Sequence, residues 1–139
     1  MNTLGIKLSQ IFAAAFLLAA VIGFIPNPVV GSHGLFLTNA AHNLVHMATA
    51  IGFFIVARMG NQPSINFMLG FGVVYLLVGM AGFLVTGKGS TGMLLGLIHI
   101  NSLDNFLHLG LGTAILAGGL CAHGAIHGAC ANQGANTTT

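Results

Sequence analysis

Two stretches of the chain repeat one another without a gap at an offset of 62 residues. Gly34-Leu35-Phe36-Leu37-Thr38-Asn39-Ala40-Ala41-His42-Asn43-Leu44-Val45-His46-Met47 lies over Gly96-Leu97-Ile98-His99-Ile100-Asn101-Ser102-Leu103-Asp104-Asn105-Phe106-Leu107-His108-Leu109. Gly34, Leu35, Asn39, Asn43 and His46 find identical partners in Gly96, Leu97, Asn101, Asn105 and His108. His42 falls opposite Asp104, the only acidic residue in the chain. Each stretch opens a long apolar run, so the chain is expected to fold as two like units.

Composition decides where those units sit. Only 3% of the 139 residues are charged, 55% are hydrophobic, and the mean hydropathy is +0.95. A soluble domain carries about 25% charged residues. Three Lys/Arg and one Asp cannot build a water-facing surface, so the chain reads as an integral membrane protein. A net charge of +2, scattered along the chain, excludes nucleic acid as a partner. The 21 glycines would weaken helices in water, but in a bilayer small residues let helices approach closely.

Four apolar runs follow in order, about 6–25, 40–57, 65–85 and 102–120. Pro26-Asn27-Pro28 stops the first, Gly60-Asn61-Gln62-Pro63 separates the second from the third, and Thr86-Gly87-Lys88-Gly89-Ser90 follows the third. At roughly 18–22 residues and ~1.5 Å per residue, each spans about one hydrocarbon core. The runs are continuous, not alternating, which selects helices over a barrel. Lys7 followed by an apolar run has the outline of a signal peptide. The repeat argues for a retained helix instead, because Gly23-Phe24 and Gly82-Phe83 close helices 1 and 3 alike.

The expected fold is therefore all-α: an integral membrane four-helix bundle of two hairpin repeats, about 6–58 and 65–120, in one domain spanning 1–131. The repeats share one orientation and are related by a pseudo-two-fold along the membrane normal, as in parallel repeats. The polar tail 132–139 is expected to be disordered. Lys7 and Arg58 outnumber Lys88 across the membrane, which places both termini in the cytoplasm by the positive-inside rule. The acid-free loops 29–37 and 93–100 are expected to rest at the opposite interface.

The polar residues admit several roles. Asn39 and Asn101 suit helix N-caps, and His42 and Asp104 three residues on suit a capping box. Asn43 and Asn105 are expected to bond across the pseudo-two-fold and pin the hairpins together. His46 and His108, one turn further, lie beyond the reach of capping. If helices 2 and 4 face each other, His42, His46, Asp104 and His108 converge as ligands for Zn, Cu or Fe. His46 and His108, with Asn43 and Asn105 nearby, are also candidates for contact with a tetrapyrrole. Chlorophyll suits better than haem, since only Lys88 lies on that side to meet propionates. A short proton relay through Asp104, the histidines and Tyr75 is a third option.

Small residues recur at Gly110, Ala114 and Gly118 in helix 4 and at Gly72, Gly79 and Gly82 in helix 3, as helix-packing stripes. Cys121, His123, His127 and Cys130 offer two thiols and two imidazoles, but at no familiar zinc-finger spacing, and they read as the frayed end of helix 4.

The doubled pattern Asn39-x-x-His42-Asn43-x-x-His46 and Asn101-x-x-Asp104-Asn105-x-x-His108, with the Gly-Phe helix ends, resembles an uncharacterised bacterial family of small four-helix membrane proteins, a domain of unknown function. The resemblance covers about residues 6–120 and implies a membrane bundle, with no activity attached. A small chain without a soluble part is not expected to be an enzyme. The leading expectation is an accessory subunit of a photosynthetic or respiratory complex in a bacterial inner or thylakoid-type membrane, in contact with other subunits and pigment. The alternative is a metal-binding or ion-conducting homo-oligomer.

Overall fold

The computed structural model describes residues 3–87 and 91–135, the side chains of 127–135 excepted. Four helices follow one another: α1 (Leu4–Gly23), α2 (Ala40–Met59), α3 (Asn61–Thr86) and α4 (Ser102–Ala135). Through Ile126, all four are long and apolar enough to cross a membrane. The chain is an all-α, multi-pass bundle, and α1 packs along α2 as α3 packs along α4. Large side chains such as Ile11, Leu18, Leu44 and Leu84 point outward and are more than half exposed on the isolated chain. A bilayer solvates such a surface, and water does not.

The inward faces are narrow and small. α1 buries Gly5, Ser9, Ala13, Phe16 and Ala20, a stripe at three- and four-residue spacing. α3 buries Gly72, Tyr75, Gly79 and Gly82 on its corresponding face. The second repeat packs more tightly than the first. A Cβ added at Gly72 would lie 2.7 Å from the Leu116 amide, and one at Gly112 would lie 2.8 Å from the Leu76 amide. Their counterparts in the first repeat are Ala13 and Ala50, and an outward groove of about 420 Å³ opens beside them, lined also by Gln10, Leu17 and Phe54. Gly72, Gly79 and Gly82 pack helices as expected. Gly110 does not, because it faces out with nothing within 4 Å of an added Cβ; Gly112 and Gly119 carry the close approach on α4.

The repeats join through Gly60 alone, at φ 126°, a conformation that glycine adopts without strain. The loops at the other end hold short strands that the sequence did not suggest. β1 (Val30–Gly31) pairs in parallel with β2 (Phe36–Leu37). β3 (Thr91–Leu94) pairs antiparallel with β4 (Ile98–Asn101). From Gly82 to Asn101 the chain is three residues longer than from Gly23 to Asn39, and the extra length lets the second loop close as a hairpin. Both loops owe their form to the same need: backbone groups near apolar surroundings must find partners.

α4 runs past the expected end near Leu120, and 132–135 continue it. Lys88 and residues 136–139 lie outside the described residues, as do the side chains of His127 and Cys130, so the tail of two Cys and two His is not described as a set.

One expectation fails. Asn43 and Asn105 do not bond across the pseudo-two-fold. Each lies against a glycine of its own hairpin: a Cβ at Gly23 would overlap the Asn43 side-chain oxygen, and one at Gly82 would overlap that of Asn105. Asn105 Nδ2 also donates to Thr86 Oγ1 at 2.9 Å. The glycine that closes each first helix is the seat of the asparagine from the second. Gly82→Ala should therefore destabilise the bundle by about 1–3 kcal/mol through overpacking. Adding Asn105→Ala should restore much of that loss, so unfolding in mixed micelles should show the double variant costing less than the sum of the singles.

Candidate functional site

At the N-termini of α2 and α4 the two repeats exchange hydrogen bonds. Asn39 Oδ1 accepts from its own helix at His42 N, 3.0 Å, while its Nδ2 donates across to Leu97 O at 2.8 Å. Asn101 Oδ1 accepts from Asp104 N at 2.9 Å, while its Nδ2 donates back to Leu35 O at 2.8 Å. The caps predicted from sequence are thus also the bridge between repeats, since an amide has a donor left after its oxygen has capped a helix.

The next layer repeats the exchange with different chemistry. Asp104 Oδ2 accepts from Asn101 N at 2.8 Å and from Leu37 N of the other repeat at 3.1 Å. His42 pairs through Nδ1 with the backbone oxygen of His99, the counterpart of Leu37, at 2.9 Å. A carbonyl only accepts, so His42 Nδ1 carries the proton and Nε2 is left with a lone pair. His108 Nδ1 donates to Asp104 O in the same manner, which leaves its Nε2 as the acceptor.

The three imidazoles gather in one place. His42, His46 and His108 each offer one ring nitrogen, and these three atoms lie within 4.8 Å of one another. All three residues are buried. His42 Nε2 and His46 Nδ1 have no hydrogen-bond partner. Buried polar atoms without partners are uncommon and costly, so two of them in a cluster of three buried imidazoles need a reason. Among the described residues this is the one group of three metal-ligating side chains gathered in this way. Asp104, placed with the histidines by the sequence, is outside this group of three but lines one of the cavities beside it. Its short side chain serves the cap and the neighbouring loop, whereas the longer His42 ring reaches His99 with one nitrogen and the centre with the other.

Aromatic rings close the site on the inner side. Phe16 meets His46 edge-on with centroids 5.7 Å apart, and Tyr75 lies 4.8 Å from His108. Phe16 and Tyr75 occupy equivalent places in the two repeats, as His46 and His108 do. Beneath them Phe53, Phe67 and Phe71 fill the bundle. The Tyr75 hydroxyl is buried without a partner. Sequence reasoning gave Tyr75 only a place in a relay. Its signal was the repeat itself, which sets a hydroxyl where the first unit has Phe16.

Two cavities flank the three imidazoles, one of about 180 Å³ between α2 and α3 and one of about 140 Å³ between α1 and α4. His42, His46, Tyr75 and His108 line both. Pockets for larger organic ligands run to about 300–1,000 Å³, so these spaces suit water, an ion or a small ligand in preference to a tetrapyrrole.

Fold and site together define a multi-pass membrane bundle of two hairpin repeats clasped over a buried histidine cluster. A family model described as a domain of unknown function, DUF4383, matches residues 7–121, and the chain belongs to that family. No curated protein and no solved structure matches it.

Asp104 offers a direct test of this division between clasp and cluster. Asp104→Ala strips two N–H groups of their acceptor and should cost about 1–3 kcal/mol for each. Asp104→Asn keeps one oxygen acceptor and should cost less. Neither should change the affinity for an added metal by more than a few-fold, as read by competition with a chelator on the purified protein.

Proposed function

We propose that this chain is a metal-binding integral membrane protein, with one transition-metal ion held by His42, His46 and His108. The observation that carries this reading is the gathering of three buried imidazoles, two of which hold a ring nitrogen without a partner. Zn, Cu and Fe all accept imidazole donors. Metal–nitrogen bonds of about 2.0–2.1 Å put tetrahedral ligand atoms about 3.3 Å apart, so small side-chain rotations close the present spacing around an ion. The second shell supports the same reading. Two of the rings donate their other N–H to backbone oxygens, the arrangement that fixes tautomer and orientation in metal sites. The size of the flanking cavities favours an ion over a pigment.

The purified protein, freed of metal and then titrated with Zn(II) or Co(II), should bind one ion per chain. Its melting temperature should rise with metal, because a ligand at 100 times its Kd stabilises by about 2.7 kcal/mol. His46→Leu separates a ligand from a packing residue. It should abolish the metal-dependent shift and leave the metal-free protein as stable as before or more so, because it removes a polar atom buried without a partner. A large loss of metal-free stability with an intact metal response would reverse the assignment.

We also propose that both termini are cytoplasmic, on the charge of Lys7 and Arg58. In a background lacking Cys121 and Cys130, a cysteine at the exposed Ser32 should react with an impermeant reagent in intact cells. One at the exposed Gln62 should not. The opposite pattern would invert the orientation.

A further inference from the structure

We infer that the fourth coordination position of the ion belongs to a small anion that accepts a hydrogen bond from the Tyr75 hydroxyl. The inference rests on the metal reading above and deepens it. Three imidazoles are neutral ligands, so a divalent ion among them would keep its full charge in a site sealed by apolar helices. Burying an uncompensated charge is expensive, and a nearby opposite charge relieves it. The chain has one acid, Asp104, which lines one of the flanking cavities with its Oδ2 held by Leu37 N and Asn101 N, and a single carboxylate offsets at most one of the ion's two charges. A bound anion supplies the other.

The site has the space and the donor for one. A cavity lies on each side of the imidazoles, and either is roomy enough for a ligand of a few atoms. Tyr75 lines both, is 4% exposed, and packs beside His108. Its hydroxyl has no partner in the protein. A buried tyrosine hydroxyl ordinarily finds a partner, and an aromatic serving only to pack would do as well without the oxygen. Phe16, in the equivalent place against His46, is that aromatic. The second repeat therefore adds one hydrogen-bond donor at a point where the first manages without. An anion at the fourth position, within reach of that donor, accounts for both the remaining charge and the orphaned hydroxyl.

The experiment uses the full chain in detergent, loaded with Co(II), with azide as the anion. Azide should change the visible Co(II) spectrum of the wild type. In Tyr75→Phe, Co(II) should bind as before, since no ring nitrogen is altered, while the azide Kd should weaken about tenfold, as expected for a hydrogen bond to a charged acceptor. Equal azide affinity in the two proteins would overturn the role of Tyr75. A Co(II) spectrum indifferent to azide would overturn the open position. An intense visible charge-transfer band in the Cu(II)-loaded wild type, lost in Tyr75→Phe, would show phenolate bound directly to the metal and would also overturn it. Failure of Co(II) to bind either protein would instead remove the metal reading beneath it.

Discussion

The exchanged hydrogen bonds of Asn39 and Asn101 hold the rest of the structure in place. Helices 2 and 4 each begin with several N–H groups that have no partner inside the helix. One asparagine oxygen caps its own helix, and the amide nitrogen of the same side chain ties down the loop of the other repeat. Membrane polar contacts are individually weak, about 0.6 kcal/mol on average. Their effect here is geometric. They fix the two helix starts at one depth and one separation, and that sets the three histidines within reach of one another. The hydrophobic effect cannot do this, because lipid tails are as apolar as the helices themselves.

On this symmetric frame the site is made by departures from symmetry. His42 and Asp104 hold equivalent positions and form equivalent cross-repeat bonds, one as a donor to a carbonyl and the other as an acceptor from an amide. Only the imidazole has a second polar atom long enough to reach inward. Phe16 and Tyr75 are likewise matched in place and unlike in chemistry. Two identical repeats would offer a symmetric cluster. The two substitutions turn it into three nitrogens and one hydroxyl.

Much of this was legible in the sequence. The spans, the hairpins, the caps and His42, His46 and His108 all followed from the gapless echo and the scarcity of charge. The pairing of the asparagines did not. Asn43 and Asn105 are equivalent by sequence, and symmetry suggested that they meet. Their actual partners, Gly23 and Gly82, lie about twenty residues away in the chain, and a glycine announces neither its neighbour nor the space above it. Asp104 was read as a ligand because residue type and helical spacing both allowed it. The Leu37 amide that claims its oxygen comes from a loop whose short strands have no sequence pattern of their own.

The unequal packing of the hairpins divides the bundle mechanically. In the second, backbone meets backbone at Gly72 and Gly112. In the first, Ala13 and Ala50 hold the helices apart and leave the groove beside them. Two of the three imidazoles, His42 and His46, ride on that looser half, and the third is anchored on the stiffer one. Low local packing is where proteins open first. Opening of helix 1 from helix 2 along that groove would loosen two donors and leave the third on the tighter pair.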